Sequence, residues 1–390
     1  MSELLLLFLL LPVAMAWGWY AGRRNAERAG GHRVSRLSTR YFKGLNYLLN
    51  EQPDKAIEVF LQIAEIDSDT VETHFALGSL FRRRGEVDRA IRIHQNLIER
   101  STLTDEQRVQ AVLELGEDYM RAGLLDRAET LFADLVRLGE QAPQALRHLL
   151  VIYQAERDWE KAIEHAQRLE AATGEPTGRL VAHFHCELAD KARRQGRSAD
   201  ARALLQQAFA AEANCVRAGI IEGQIELAEG RDALAVRAFE RVARHEPDAL
   251  PEVLKPLLSA YGRLGERARA RAFLAEMSER YAGVAPVLAL FQLIREDEGD
   301  CAAADYLSEA LRQRPSIKGQ AALIELGTSR PAEAALPILR VLEQTTGQLA
   351  SSVLTYRCNR CGFGARQHHW QCPSCKSWSS VRPIHGPAGD

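Results

Sequence analysis

Small and bulky apolar residues recur along the chain at a nearly constant distance. Short phrases such as GEVDRA, GLLDRA and RDWEKA end in an alanine, and such an alanine occurs nine times at intervals of 31 to 39 residues, most often 34. In five units an aromatic residue lies nine positions before the alanine, and in five a bulky residue lies four positions after it. We therefore expect two helices in each unit, packed closely at the alanine. The alanines are Ala56, Ala90, Ala128, Ala162, Ala201, Ala235, Ala270, Ala304 and Ala335.

The length of the unit indicates a known architecture. A period near 34 residues with this phrasing resembles the tetratricopeptide repeat. Gly44, Gly78 and Gly116 lie at the point where the first helix of a unit packs most closely. Stacked units bury a continuous core that one unit alone could not form. The pattern predicts an all-α tetratricopeptide superhelix over residues 39–345, with about eight or nine repeats and a concave surface suited to peptides or proteins. It weakens after Ala304, where three prolines intrude: Pro315, Pro331 and Pro337.

The first residues have the pattern of a membrane anchor. The run from Leu4 to Tyr20 contains seventeen residues and no charge, which corresponds to about 25 Å of helix. Six arginines and one glutamate follow between residues 23 and 40. Because the positive flank of a membrane helix stays in the cytoplasm, we expect the body of the protein there and the short N-terminus on the opposite side of the membrane. The sequence predicts a single transmembrane helix over residues 1–21 and an arginine-rich linker over residues 22–38.

A cleaved secretory signal is the alternative reading of this segment. Ala14-Met15-Ala16 resembles a signal-peptidase site. Secretory signals carry their positive charge before the apolar run, however, whereas here the arginines follow it. This order favours the uncleaved anchor.

Four cysteines near the other end of the chain predict a metal site. Cys358, Cys361, Cys372 and Cys375 form two C-x-x-C pairs separated by ten residues. Two such pairs supply four thiolates in a tetrahedral arrangement, which zinc or iron prefers. A closed shell of four sulfurs leaves no position for a catalytic water. We expect a small metal-dependent module over residues 354–386, of rubredoxin-like or zinc-ribbon type, whose apolar core is supplied by three aromatic residues: Phe363, Trp370 and Trp378.

The remaining composition indicates an intracellular, non-enzymatic protein. The chain has 390 residues and a net charge of -2, and it contains no phosphate-binding loop, zinc-protease or nucleophile-elbow motif. Cys186, Cys215 and Cys301 are isolated, so we expect three buried free thiols rather than disulfides. His183 and His185 point in different directions on a helix, which argues against a metal site. Arg82-Arg83-Arg84 fits a solvated helix end or a contact with an acidic partner.

Three segments resemble the lipopolysaccharide assembly protein B family of bacteria. They are LLLPVAMAWGWYAGRR (residues 9–24), RGEVDRAIRIHQ (residues 84–95) and the cysteine-bearing tail YRCNRCGF, WQCPSCKSWS and RPIHG (residues 356–386). The resemblance covers essentially the whole chain, although the middle repeats would match any tetratricopeptide protein loosely.

The resemblance implies a regulatory adaptor of the bacterial inner membrane, with its repeats and metal module in the cytoplasm. Its expected partners are the membrane AAA protease FtsH, the deacetylase that commits precursor to lipid A, and other lipopolysaccharide assembly proteins. The adaptor would promote degradation of the deacetylase by FtsH. The resemblance also implies that the metal module packs against the repeats and that Cys358, Cys361, Cys372 and Cys375 are the metal ligands. It leaves assembly into a homo-oligomer open.

Two other functions are compatible with the cysteine-rich tail. Iron held by four sulfurs is redox-capable, so a redox or iron-sensing protein is one alternative. Basic residues interleaved with aromatic ones also occur in nucleic-acid-binding ribbons. The even charge balance of the whole chain argues against that second alternative. The basic residues are Arg357, Arg360, Arg366, Lys376 and Arg382.

Overall fold

The computed structural model describes residues 17, 19, 40–66, 71–140, 142–329 and 336–387. The chain divides into two compact units, Met1–Arg157 and Asp158–Asp390. The predicted anchor and linker lie outside the described residues, apart from the exposed Trp17 and Trp19. No helix in the described part of the chain has both the length and the apolar character needed to cross a bilayer.

The described part of the first unit is entirely helical, with short turns between successive helices. Its helices are α1 (residues 40–49), α2 (Pro53–Ile66), α3 (Val71–Arg84), α4 (Val87–Ile98), α5 (Asp105–Arg121), α6 (Leu125–Leu138) and α7 (Ala142–Glu156).

The second unit continues with helices and ends in a small sheet. Its helices are α8 (Trp159–Thr173), α9 (Gly178–Arg194), α10 (Ser198–Ala211), α11 (Val216–Ala228), α12 (Asp232–His245), a 3-10 turn (Pro247–Ala249), α13 (Leu250–Leu264), α14 (Arg267–Arg280), α15 (Ala285–Glu298), α16 (Asp300–Gln313), α17 (Ile317–Ser329) and α18 (Leu336–Ser352).

The sheet is antiparallel and has the order β2-β1-β3. The central strand β1 (Tyr356–Cys358) pairs with β2 (Gly364–Ala365) on one side and with β3 (Val381–Pro383) on the other. Cys358 faces Val381 across the second pairing. The sheet therefore carries the first cysteine of the module and lies directly beside the turn that carries the next one.

The repeating alanines lie in the interior of the helix pairs. Seven of the nine are buried: Ala56, Ala90, Ala128, Ala162, Ala201, Ala235 and Ala270. In α16 the fully buried alanine is Ala303, and Ala304 is partly exposed. Leu307, four residues after Ala303, is also fully buried. The predicted register of this repeat is therefore wrong by one residue, because the phrase GDCAAA contains three consecutive alanines that periodicity does not distinguish. Ala335 lies outside the described residues.

The glycines make room for a ring on the second helix of the same repeat. A Cβ added to Gly116 would lie 2.6 Å from the ring of Phe132, and one added to Gly44 would lie 2.7 Å from the ring of Phe60. In the second repeat, Gly78 instead faces a histidine, at 2.3 Å from Nε2 of His94. The close packing expected of these glycines is therefore present, with a polar ring in one repeat.

Candidate metal centre and its seat on the repeats

Two turns with the same hydrogen bonds carry the four cysteines. In the first turn, the Cys358 N–H donates to the Phe363 carbonyl (2.8 Å) and the Gly362 N–H donates to the Cys358 carbonyl (2.9 Å). The equivalent bonds of the second turn run from Cys372 N–H to Ser377 O (2.9 Å) and from Lys376 N–H to Cys372 O (2.9 Å). The C-x-x-C spacing thus forms two equivalent knuckles, each presenting its sulfurs from a tight loop.

The residue after each knuckle has a left-handed backbone. Gly362 has φ 78° and Lys376, at the equivalent position, has φ 58°. Glycine adopts this conformation without steric cost, whereas a residue with a Cβ loses about 1–2 kcal/mol. The second knuckle therefore contains a locally unfavourable backbone that other interactions of the module must offset.

The four sulfur atoms fit one tetrahedral metal ion. All four lie within 4.8 Å of one another, and the sulfur–sulfur distances from Cys358 to Cys375 and from Cys361 to Cys372 are 3.8 and 3.7 Å. A metal–sulfur bond of about 2.3 Å gives a tetrahedron with sulfur–sulfur edges of about 3.8 Å. The cluster therefore has the size that zinc requires, and its donor set also suits iron.

Neighbouring donors favour the thiolate form of Cys358. The Ser380 hydroxyl lies 3.3 Å from its sulfur. This hydroxyl, together with the backbone N–H groups of Cys361 and Arg360, lowers the pKa of Cys358 to about 6. Hydrogen bonds to a thiolate stabilise the charged form and thereby prepare the sulfur for a cation.

The second knuckle contains one favoured and one disfavoured thiolate. The Ser377 hydroxyl, 3.4 Å from the sulfur of Cys375, lowers the pKa of that cysteine. Burial raises the pKa of Cys372 to about 11. A cation is thus needed to hold Cys372 as a thiolate at neutral pH, so metal uptake at this site releases at least one proton.

The two tryptophans of the module lie against the repeats. The module's own buried cluster consists of Cys358, Cys372 and Val381, with Tyr356, Phe363 and Cys375 packed around it. Trp370 packs instead against the core formed by α11 to α14. The expectation that both tryptophans form the core of the module is therefore wrong, whereas it holds for Phe363. Two large indoles in a module of thirty residues were a signal that part of its apolar surface lies against something else.

Trp378 occupies an aromatic seat on α8 and α9. Its ring contacts Trp159 and Phe184 edge to face, with centroids 6.2 and 6.0 Å apart. It stacks on His183 at 4.8 Å with an interplanar angle of 22°. Arg217, at the start of α11, lies over the same indole at 5.7 Å. We call these four residues, Trp159, His183, Phe184 and Arg217, the tryptophan seat.

The side chain of His183 joins the repeats to the metal module. It is buried, and its Nε2 lies 2.7 Å from the Ser379 hydroxyl of the module. Burial, followed by the charges of Arg217 and Arg179, lowers the pKa of His183 to about 3. The ring is therefore neutral at physiological pH. The structure places this histidine in packing and gives it no metal-ligating partner among the described residues.

Polar pairs surround the aromatic seat. The Tyr356 hydroxyl donates to Glu252 (2.7 Å), and Arg382 pairs with Glu246 (3.1 Å). Two further contacts join the module to the repeats, His385 with Asp248 (3.0 Å) and the Ile317 N–H with the Pro387 carbonyl (2.9 Å). Within the repeats, Arg217 pairs with Glu187 (2.8 Å). The module is thus fastened to helices from several successive repeats, as the resemblance implied. Four of its five basic residues remain exposed: Arg357, Arg360, Arg366 and Lys376.

A second polar cluster lies inside the first unit. Arg82 pairs with Glu114 (2.7 Å), Glu117 (2.9 Å) and Asp118 (2.8 Å). Asp118 also binds Nδ1 of His94 at 2.5 Å, and both of these side chains are fully buried. Arg82 is therefore neither a solvated helix end nor free for a partner, since acidic groups of its own chain surround it. In the sequence, this buried polar cluster is indicated by His94, which occupies a position where other repeats carry phenylalanine.

The fold and the sulfur cluster define a class of protein. It is a tetratricopeptide-repeat protein with a C-terminal rubredoxin-type metal module. Family models agree with this class: tetratricopeptide repeat models match residues 73–109, 113–176 and 186–251, and the model described as Rubredoxin metal binding domain matches residues 356–383. A solved structure of MamA from Desulfovibrio magneticus RS-1 is similar over 45% of this chain and 95% of its own, at 16% identity and a TM-score of 0.34, which is too low to inform on function.

Full-length relatives identify the family. Lipopolysaccharide assembly protein B of Escherichia coli (strain K12) is 41% identical over 385 residues, covering 98% of this chain and 99% of its own. The protein of the same name in Haemophilus influenzae is 35% identical over 393 residues, covering 97% and 98%. The chain belongs to the Lipopolysaccharide assembly protein B family.

Proposed function

We propose that this protein is a non-enzymatic adaptor in lipopolysaccharide assembly. In this proposal Cys358, Cys361, Cys372 and Cys375 bind one zinc or iron ion, and the metal acts as a structural clamp. The observation that carries the proposal is the seating of the sulfur cluster on the repeats through Trp378. A closed four-sulfur shell that is docked on a protein-binding scaffold suits the stabilisation of that scaffold better than the conversion of a substrate.

The finer part of the proposal concerns location and partners. Residues 1–21 anchor the chain in the bacterial inner membrane, with the N-terminus in the periplasm and the repeats and metal module in the cytoplasm. The repeats bring the membrane protease FtsH together with the UDP-3-O-acyl-N-acetylglucosamine deacetylase, so that the deacetylase is degraded and lipid A synthesis is restrained. Other lipopolysaccharide assembly proteins share the scaffold. A membrane tether supports this role because it raises the local concentration of partners near the bilayer.

In this proposal the metal folds the module, and the folded module then docks on the repeats. A module of about thirty residues cannot bury enough apolar surface to fold alone, so metal binding supplies its folding free energy. Only the folded module presents Trp378, Ser379 and Arg382 in the arrangement that fits the repeats. Loss of the metal would thus free the surfaces of α8, α9 and α11 that the module covers, and a scaffold with an altered surface would lose its partners.

The test is complementation in a strain depleted of the protein. Depletion should lengthen the half-life of the deacetylase and raise the lipopolysaccharide level, and the intact chain should reverse both. A chain with all four ligand cysteines changed to serine should fail, whereas Cys301→Ser, which alters an exposed cysteine far from the cluster in sequence, should succeed. An unchanged deacetylase half-life on depletion would refute the finer proposal. Full complementation by the four-serine chain would refute the role of the metal.

One observation favours electron transfer as a second candidate function. Cys361 is an exposed residue, so one of the four ligand residues lies at the surface, as exchange of an electron with a partner requires. Iron would have to occupy the site in the cell. Metal analysis of the protein purified from its own host decides between the two functions, since zinc alone, or full function with zinc in place of iron, excludes electron transfer.

A further inference from the structure

Two cysteines outside the metal cluster lie side by side in the interior of the second unit. Cys186 is on α9, and Cys215 is the residue directly before α11. Both are buried, and their sulfur atoms are 3.9 Å apart although 29 positions separate them in the chain. The sequence predicted isolated thiols here. The two are paired, because α9 and α11 are neighbouring first helices of successive repeats.

The two thiols have different surroundings. The contact with the Cys186 sulfur and the hydrogen bond from the Ala218 N–H, in the first turn of α11, lower the pKa of Cys215. The same contact with Cys215, together with burial, raises the pKa of Cys186. The Ala218 N–H at the start of α11 stabilises a thiolate on Cys215, so Cys215 is the better nucleophile of the two.

A small cavity gives access to Cys215. Its volume is about 100 Å³, and Cys215, Arg217, Trp370 and Val381 are among the residues that line it. A water molecule takes up about 30 Å³ in the liquid, so the cavity has room for hydrogen peroxide, which is about the size of two waters. The cavity lies where the metal module meets α11.

We propose that Cys186 and Cys215 form a redox-active dithiol that peroxide converts to a disulfide. The Cys215 thiolate attacks one peroxide oxygen, the O–O bond breaks, and the products are a sulfenic acid and, after protonation, one water. The Cys186 sulfur then attacks the sulfenic sulfur, and the S–O bond breaks to release the second water. The two thiols together lose two electrons and two protons to the peroxide, which is reduced to two waters.

The disulfide would act on the tryptophan seat. Cys186 lies three positions after His183 on α9, and Cys215 lies two positions before Arg217. Because His183 and Arg217 both contact Trp378, a covalent bond between the cysteines ties together two of the elements that hold the module. We expect the oxidised protein to unfold at a higher temperature than the reduced one, since the bond constrains the unfolded chain.

The experiment uses the full metal-loaded chain and hydrogen peroxide. After timed exposure, free thiols are alkylated, and the protein is digested without reductant for mass spectrometry. The expected product is a Cys186–Cys215 linked peptide with a mass about 2 Da below that of the two reduced peptides, which a dithiol reductant reverses. Metal content is followed in the same samples, and the link should form while the metal is still bound.

Matched variants separate the two roles. Cys186→Ser should leave a sulfenic acid on Cys215 that dimedone traps, and Cys215→Ser should leave Cys186 reduced. Cys301→Ser removes an exposed cysteine and should not change the rate at which the link forms. Absence of the linked peptide, or its formation only after the metal is released, would overturn the proposal. Equal dimedone labelling of Cys186 in the Cys215→Ser variant would overturn the assignment of the nucleophile.

Discussion

Replacing Trp378 with alanine should separate docking of the metal module from its folding. The indole contacts Trp159, His183 and Phe184 of the repeats, whereas the module's own buried cluster does not include it. The variant module should therefore keep its metal but dock more weakly on the tryptophan seat. Phe363→Ala is the matched control, because Phe363 packs against the sulfur cluster inside the module.

The magnitude follows from the contacts of the ring. A fully enclosed aromatic side chain buries roughly 150–250 Å², and Trp378 is partly exposed, so we take about 100 Å² as lost to the seat. At about 25 cal/mol per Å² this amounts to about 2.5 kcal/mol. The edge-to-face and stacked geometry adds about 0.5–1.5 kcal/mol. A total of about 3–4 kcal/mol lowers the equilibrium constant for docking by roughly 150- to 700-fold.

Two measurements report docking and folding separately. Hydrogen exchange at the amides of α9 and α11 reports whether the module covers them, and transfer of metal to a chromogenic chelator reports whether the module is folded. We expect Trp378→Ala to speed exchange on α9 and α11 without speeding metal transfer. Phe363→Ala should speed metal transfer. Equally fast metal loss in both variants would refute the assignment of Trp378 to the seat, and unchanged exchange in Trp378→Ala would refute its contribution to docking.

Two further perturbations test the interior of the repeats. Burial holds the pKa of His183 at about 3, below its usual 6.5. Between these two pH values the unfolded chain therefore binds more protons than the folded chain. The contribution of the neutral His183 to the stability of the second unit should be complete above pH 6.5, and the free energy of unfolding should fall toward pH 3 by up to about 1.4 kcal/mol per pH unit. Urea unfolding from pH 7 to pH 5 should show this slope in the native chain and a flatter one in His183→Gln, and identical slopes would contradict the assignment. Gly78→Ala places a Cβ 2.3 Å from Nε2 of the buried His94 and should lower the free energy of unfolding by about 1–3 kcal/mol. Gly262→Ala, on α13 with nothing within 4 Å of the added carbon, should raise it by up to about 1 kcal/mol; an unchanged urea midpoint for Gly78→Ala would refute the tight contact.

Much of the architecture could be read from spacing because its causes are local and repeated. An alanine every 34 residues marks a helix crossing in each repeat, and the same crossing recurs with the same small side chain, as Ala128 and Ala235 illustrate. The four metal-site cysteines could be predicted equally well from the sequence, because each of the two tight turns that carry them is formed by a short segment of the chain. Where the local pattern is ambiguous, as in the run of alanines around Ala303, the prediction missed the register by one residue.

The contacts that position the metal module on the repeats join residues far apart in the sequence, and no local pattern predicts them. Trp378 meets His183 across 195 residues of sequence, and Cys186 meets Cys215 across 29. Neither pair has a spacing that a helix or a turn would produce. Likewise, the pairing of Asp118 with His94 depends on how α4 and α5 lie against each other. Such contacts depend on the stacking angle between neighbouring repeats, and the sequence of a single repeat does not determine that angle.

The sequence by itself determined the helical repeat, the two knuckles and the set of four sulfurs, because each follows from residues within one turn or one repeat. The tertiary structure alone decided that the metal module uses its tryptophans to dock on the repeats, that His183 is neutral and buried beneath it, and that two scattered cysteines share one site. The physical reason is that docking buries surfaces drawn from distant segments. Their complementarity arises only when successive repeats stack and the metal-bound turns are brought against them.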